Sequence, residues 1–162
     1  MLAGGIYGII RWQQGNCKRQ RHIRAWIQFL ELAEFQVLRN HSAVSVILER
    51  AKGINAQMDI CFAEILEKMK KRECSNGHGI WQMVFLKHQK EWGFDEYEWE
   101  TVMEVGNALF GHSSDRIGRE LQTQREQFWD FLKEERERYK QNSKVVIPAG
   151  LFGSLFVIMI FI

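Results

Sequence analysis

The sequence predicts an all-α protein, a bundle of about six helices with a C-terminal transmembrane helix. Apolar residues recur every three or four positions along most of the chain, which is the spacing of one face of an α-helix. Pro148 is the single proline among 162 residues, so few positions interrupt a helical backbone. The last eighteen residues carry no charged side chain, and no segment shows the alternation of a strand. Together these observations favour long helices, the last of them in lipid.

Composition narrows the function classes. Charged residues make up 26% and hydrophobic residues 46% of the chain, as in an ordinary folded protein. A net charge of +2 is too small to favour nucleic acid as a partner. The three cysteines, Cys17, Cys61 and Cys74, are scattered, which is typical of reduced thiols in a cytosolic domain and not of a disulfide framework.

Residues 145–162 form the predicted transmembrane helix. They read VVIPAGLFGSLFVIMIFI, with Ser154 as the only polar side chain. A helix of this length rises about 27 Å, close to the roughly 30 Å hydrocarbon core of a bilayer. A buried core helix is the alternative, but it would need protein on every side. Because positive charge stays on the cytoplasmic side of a span, Lys140 and Lys144 predict a cytoplasmic bundle. We assign the membrane anchor to Val145, Pro148, Gly150, Gly153, Phe156 and Ile162.

Residues 1–12 form a second, shorter apolar segment. Its first ten residues, MLAGGIYGII, span only about 15 Å as a helix, half a bilayer. Three interpretations are open: a short interfacial or half-inserted helix, a helix packed against the C-terminal span, or part of a longer span that starts upstream. Gly4 and Gly8 permit close helix contact, and Gly150 and Gly153 offer matching small residues. We hypothesise that the two apolar segments pack as a hairpin.

A basic cluster follows the N-terminal segment. It comprises Lys18, Arg19, Arg21 and Arg24. Such side chains are either solvent-exposed residues at the start of a helix or a binding site for anionic lipid. The attraction to lipid contributes roughly 1 kcal/mol for each basic residue near a membrane surface. Because Lys140 and Lys144 lie on the same predicted side, we expect both groups to be membrane-proximal.

Residues 18–143 are the predicted cytoplasmic bundle. Helices are expected over residues 19–39, 43–52, 55–71, 80–90 and 95–111, and from Ser113 or Ser114 towards the span. The predicted N-caps are Ser42 or Ser45, Asn55 and Asp95, and the predicted stops are Gly53 and Gly93. In the last helix an apolar seam comprises Ile117, Leu121, Phe128, Leu132 and Tyr139. Arg125 and Glu135 interrupt this seam. The six tryptophans are interpreted as core residues.

No motif in the chain carries recognisable catalytic chemistry. The glycines at 77 and 79 are followed by Ile-Trp-Gln, so the Lys-Ser/Thr of a phosphate-binding loop is missing. A zinc set can be imagined from Cys74, His78, His88 and His112, but its spacing matches no known pattern. The carboxylates of Asp95, Glu96, Glu98 and Glu100 fall in one turn, as at a helix start, and not across a substrate. We therefore predict no enzyme activity, no metal and no cofactor.

Several short motifs follow one another in a recognisable order. The run Arg21-His22-Ile23-Arg24-Ala25-Trp26 precedes Leu30-Glu31, and Gly106-x-x-Leu109 with Gly111-His112 comes later. A long charged helix ending at Tyr139 and a glycine-containing apolar segment complete the order. In this order and spacing the chain resembles the stage III sporulation protein AB family of endospore-forming Firmicutes, over nearly its whole length. It departs from the family pattern in its shorter N-terminal span, in Phe110 where a second turn glycine is expected, and in Ala43-Val44 where proline is usual.

The resemblance implies a membrane platform protein, similar to the cytoplasmic helical domains of inner-membrane platform proteins in type II secretion and type IV pilus machines. It implies a place in the channel complex between mother cell and forespore. The expected partner is the complex's secretion-type ATPase, stage III sporulation protein AA, on the mother-cell cytoplasmic side. Two alternatives are open: an unrelated tail-anchored adaptor that recruits a soluble partner to the membrane, and a soluble bundle that binds the C-terminal segment in a groove.

Overall fold

A computed structural model describes the backbone of residues 2–71, 76–111 and 114–160, and the side chains of residues 17–71, 76–111, 116–138 and 140. Within these ranges the chain is helical apart from short connections and contains no strand. The helices there are α1 (Leu2–Asn40), α2 (Val44–Arg50), α3 (Ala56–Lys71), α4 (Gly77–Lys87), α5 (Gln89–Trp92), α6 (Glu96–Gly111) and α7 (Ser114–Ile160). The predicted all-α class is confirmed.

The two longest helices, α1 and α7, form the most extensive interface of the described chain. They run antiparallel, because Glu34 of α1 pairs with Arg125 of α7 at 3.0 Å, whereas Arg19, earlier in α1, faces Glu135, later in α7, at 3.7 Å. A Cβ on Gly118 would lie only 2.5 Å from Cδ2 of Leu38. Glycine at this position therefore allows α7 to approach α1.

An aromatic core joins α1 to the shorter helices. Trp26 of α1 is fully buried and stacks on Phe128 of α7, with ring centroids 5.6 Å apart. Phe85 lies 5.5 Å and Trp92 5.7 Å from the same ring. Trp81 packs on α6 at Gly106, where a Cβ would lie 2.3 Å from the indole Cδ1. The core is therefore closely packed, as protein interiors generally are.

The six tryptophans were predicted to be core residues, and this interpretation is confirmed for Trp26, Trp81 and Trp92, which are buried. Trp99 is partly buried and packs against the core, and Trp12 lies outside the described side chains. The interpretation is wrong for Trp129, whose side chain is 49% exposed. The helical spacing places Trp129 at the edge of the apolar seam of α7, where the neighbouring α1 covers only part of the ring.

Most predicted helix boundaries are confirmed by local geometry. Asn55 caps α3 through the backbone N–H of Gln57 at 2.9 Å. Gly53 and Gly93 adopt φ of 90° and 68°, a conformation that L side chains rarely adopt. Both predicted caps of α2 are wrong, because Ala43 is its N-cap and Ser45 lies within the helix. The Ser42 hydroxyl donates to Gln36 Oε1 at 3.0 Å.

The fourth predicted helix, over residues 80–90, is two helices in the structure. α4 starts earlier than expected, at Gly77, because Asn76 caps it by accepting from the Gly79 N–H. Residues 77–79 of the predicted loop therefore belong to α4, and residues 73–75 lie outside the described residues. The helical backbone is interrupted at His88, between α4 and α5. The imidazole of His88 hydrogen-bonds to Glu64 of α3 and to Glu91 of α5. These bonds hold the interruption between α4 and α5 against α3.

The helices at both chain ends cross the predicted domain boundaries without a break, since α1 starts at Leu2 and α7 extends to Ile160. Where the structure describes side chains, no helix is at once long enough and apolar enough to cross a membrane. The predicted span at 145–162 and the N-terminal segment at 1–12 lie outside the described side chains. Both assignments, and the glycine hairpin between them, therefore stay predictions.

Candidate docking surface

A cluster of charged side chains ties the first helix to the last two. The Arg19 guanidinium of α1 bonds to Asp95 at 2.7 Å and to Glu98 of α6 at 2.9 Å, and it lies 3.7 Å from Glu135 of α7. The Glu98 side chain is only 1% exposed and that of Glu135 only 7% exposed. We call these four residues the Arg19 cluster.

The Arg19 cluster shows what one of the predicted basic residues contacts. Arg19 was grouped with the membrane-proximal basic residues, and that assignment stays a prediction; within the bundle, its guanidinium faces three carboxylates. The apolar spacing of α1 carried no sign of these contacts, because Arg19 is one of four basic residues between positions 18 and 24 and the sequence does not distinguish it from its neighbours. Glu135 did carry a signal: it interrupts the apolar seam of α7, and a charge on a buried face needs a partner.

The electrostatics of the Arg19 cluster follow from one cation facing three carboxylates. Burial raises the pKa of Glu98, and the hydrogen bond and charge of Arg19 offset only part of that rise. Burial lowers the pKa of Arg19, but the bond to Glu98 and the nearby carboxylates raise it more, so the net direction is upward. Asp95 and Glu98 also close a capping box at the start of α6, with N–H to carboxylate distances of 2.9 and 3.0 Å.

A second interruption of the seam is also explained. Arg125 pairs with Glu34 of α1 at 3.0 Å, and both side chains are less than a third exposed. The polar positions on the seam of α7 therefore hold α1 in register at two levels, through Arg125 and through Glu135. Tyr139, the last predicted seam residue, lies outside the described side chains.

A shallow groove runs along the outer edge of the α1–α7 interface. We call it the basic groove; its cavity volume is about 330 Å³. Trp129 of α7 is half exposed in this groove, and Arg24 of α1 and Arg136 of α7 are the two cations beside it. Its remaining lining residues are Ile27, Gln28, Glu31 and Leu132. A large apolar ring with cations and a single carboxylate around it is a typical composition for protein recognition.

The other flank of α7, where it packs beside α6, carries the opposite charge. Two larger grooves there have volumes of about 490 and 480 Å³. Tyr97 lines the second of these grooves and is 73% exposed. The only basic side chain in the lining of the two grooves, Arg138, pairs with Glu134 at 3.5 Å. The carboxylates that line these grooves are Asp95, Glu100, Glu104, Glu120 and Glu134. We call this surface the acidic flank.

The other predicted basic residues divide into three groups. Lys18, Arg21 and Lys140 are exposed, as lipid contact would require. Arg24 is exposed but lines the basic groove. Lys144, like the anchor residues Val145, Pro148, Gly150, Gly153, Phe156 and Ile162, lies outside the described side chains.

Of the four residues considered for zinc, only His78 and His88 have described side chains. His88 is held between Glu64 and Glu91 at 3.1 and 2.8 Å. Burial lowers its pKa, but the bonds to these two carboxylates raise the pKa more, so the net direction is upward. Cys74 and His112 lie outside the described residues, and no group of three metal-ligating side chains occurs among the described ones.

The motifs that carried the family resemblance serve the fold. His22 is buried, and its ring N–H donates from Nδ1 to the carbonyl of Trp92 at 2.7 Å. Trp26 is the centre of the aromatic core, and Gly106 allows Trp81 to pack on α6. These three motif residues therefore serve the packing of the bundle.

Fold and surface together define a class of protein: an all-helical domain, closed by its first and last helices, whose described surface offers shallow charged grooves. The model of the family described as stage III sporulation protein AB matches residues 1–162. The chain belongs to this family of sporulation proteins, which is not known as an enzyme family. No curated protein and no solved structure matches the chain.

Proposed function

We propose that the protein is a non-enzymatic membrane platform of the mother cell–forespore channel complex, and that its bundle docks the complex's secretion-type ATPase, stage III sporulation protein AA, on the mother-cell cytoplasmic side. Membership of a sporulation family supports the setting. The observation that carries the proposal is the antiparallel pairing of α1 and α7, whose outer ends lead to both apolar segments.

The pairing supports an anchor at one end of the bundle. Arg19 of α1 faces Glu135 of α7, so the start of α1 and the end of α7 leave the bundle on the same side. Each continues as a helix towards a stretch without charge. The exposed Lys18, Arg21 and Lys140 lie at this same end, where they would meet anionic headgroups.

The bundle suits a positional role. Its aromatic core and its two charged contacts fix α1 against α7, so a partner bound to the bundle would be held at a defined height and orientation above the membrane. No chemical step is required for this role. The work of the platform is to couple the position of the ATPase to components in the membrane.

The membrane half of the proposal is tested in the full chain by Phe156→Arg. A charge at the centre of a span costs roughly 2.5–3.5 kcal/mol on the insertion scale, so the variant should be extracted by alkaline carbonate whereas the wild type stays in the membrane pellet. Phe35→Arg is the matched control, because Phe35 is already 57% exposed on the bundle. Equal extraction of all three proteins would contradict the anchor.

The docking half is tested with the full chain reconstituted in lipid nanodiscs and the purified ATPase. We expect saturable binding with a Kd in the micromolar range, and none to empty nanodiscs. Absence of binding with both proteins folded would contradict the docking role. A deletion strain distinguishes the tail-anchored adaptor, because the platform predicts arrest of spore development after engulfment and no growth defect in vegetative cells.

A further inference from the structure

The basic groove and the acidic flank are complementary in charge and in composition. The basic groove presents the half-exposed Trp129 between Arg24 and Arg136. The acidic flank presents the exposed Tyr97 beside Glu100 and Glu104, which are spaced by one helical turn on α6. Each surface thus has an aromatic ring and charges of one predominant sign, and the signs are opposite.

The two surfaces lie at the same height along α7. The basic groove uses Trp129, Leu132 and Arg136 of this helix, and the nearer part of the acidic flank uses Gln127, Phe131, Glu134 and Arg138. Both stretches cover the same two to three turns but face opposite flanks, α1 on one side and α6 on the other. One copy can therefore meet the next side by side, without any shift along the helix axis.

Side-by-side contact at equal height preserves the orientation of every copy. If neighbouring copies are related by rotation about an axis parallel to α7, all their C-terminal ends point the same way. A head-to-tail contact of this kind closes into a ring when the rotation closes. This arrangement is compatible with copies that share a single membrane.

Lipid is a poor occupant for the basic groove. Trp129 lies about 24 Å along α7 from Val145, at 1.5 Å per residue. The headgroup region adds only about 5–8 Å to each side of the hydrocarbon core. A bilayer holding residues 145–162 therefore ends well short of Trp129, and the groove faces the aqueous side.

We propose that the basic groove of one copy binds the acidic flank of a second copy, so that the chain assembles head to tail through the two flanks of α7. Arg24 and Arg136 contact Glu100 and Glu104 of the neighbour, and Trp129 packs beside the neighbour's Tyr97. The proposal is independent of the identity of the ATPase and of its docking surface.

Charge-swap variants of the full chain in detergent test the contact by sedimentation velocity. The groove variant is Arg24→Glu with Arg136→Glu, and the flank variant is Glu100→Arg with Glu104→Arg. Each should weaken self-association at least tenfold, because like charges then face each other. The control Lys52→Glu with Lys90→Glu changes net charge by the same amount as the groove variant, at two exposed positions outside both surfaces, and should associate like the wild type.

Rescue separates a specific contact from a folding defect. The quadruple variant reverses both surfaces, so its groove and flank are complementary again, and it should recover wild-type association. An equimolar mixture of the groove and flank variants should recover as well. A wild type that stays monomeric at roughly 100 µM, well above a micromolar Kd, would overturn the proposal, as would loss of association without recovery in both the quadruple variant and the mixture.

Disulfide cross-linking in proteoliposomes tests the same contact in lipid. In a background with Cys17→Ser and Cys74→Ser, a chain with Gln28→Cys is mixed with a chain with Tyr97→Cys. Oxidation should give a dimer joining positions 28 and 97, whereas the matched pair of Gln28→Cys with Lys52→Cys should not. Equal yields from both pairs would count against a defined head-to-tail contact.

Discussion

The aromatic core around Trp26 and the Arg19 cluster both join α1 to α7, about two helical turns apart, but they do so by different physics. Trp26 stacks on Phe128 in a water-free environment, where stabilisation depends on buried area and close packing. Arg19 reaches carboxylates of two helices at defined distances. The core therefore stabilises the helix pair through buried apolar area, whereas the cluster favours one register of α1 against α7.

Truncation of the core should have the largest effect on stability. Trp26→Ala removes a fully buried indole, and we expect a loss of about 3–5 kcal/mol in the free energy of unfolding. Trp129→Ala is the matched control, because its half-exposed ring should cost less than about 1 kcal/mol. Urea denaturation followed by circular dichroism measures both. Similar losses for the two variants would mean that the core around Trp26 is not the main contributor to the free energy of unfolding.

Removal of the cation should have the next largest effect. Arg19→Met leaves Glu98 and Glu135 buried without their partner, and we expect a loss of about 2–4 kcal/mol, somewhat below that for a fully buried pair because Arg19 is partly exposed. The loss should shrink as pH falls from 7 to 5, because Glu98 can then take up a proton. Arg24→Met is the matched control and should be close to neutral. A loss that is independent of pH would argue against an electrostatic origin.

The contact at His88 should have the smallest effect and a defined pH dependence. Its folded-state pKa lies above the ordinary value of 6.5, so the folded state binds the proton more tightly than the unfolded state. His88 therefore adds stability that is complete below about pH 6.5 and is lost as pH rises through the folded-state pKa. In His88→Gln, thermal unfolding should show a smaller fall in Tm between pH 6 and 8. An unchanged slope would contradict this assignment.

The helices and their ends could be predicted from sequence because their causes are local. Asn55, Asp95, Gly53 and Gly93 act on the backbone within one turn of themselves, so composition and position were sufficient. The prediction of a cap at Ser42 was wrong because the Ser42 hydroxyl bonds to Gln36 of the preceding helix and not to the backbone of α2. The start of α4 was predicted too late because its first residues include two glycines, which have a low helix propensity. Asn76 nevertheless caps the helix there.

The candidate surfaces could be predicted only in part. Arg125 and Glu135 stood out as charges on an apolar seam, but their partners are far away in the sequence. The exposure of Trp129 depends on how far α1 covers the edge of α7, which helical spacing does not specify. The opposite charges of the two flanks arise only when α1 and α6 take up positions on either side of α7.

The all-α class, most helix boundaries and the family could be inferred from the sequence, because helical periodicity, capping chemistry and motif order are properties of short stretches of chain. The packed structure was needed to show that Arg19 joins an internal cluster, that Trp129 is half exposed, and that the two flanks of α7 carry opposite charge. Those features depend on contacts between residues that are distant along the chain, and only the packed helices bring such residues together.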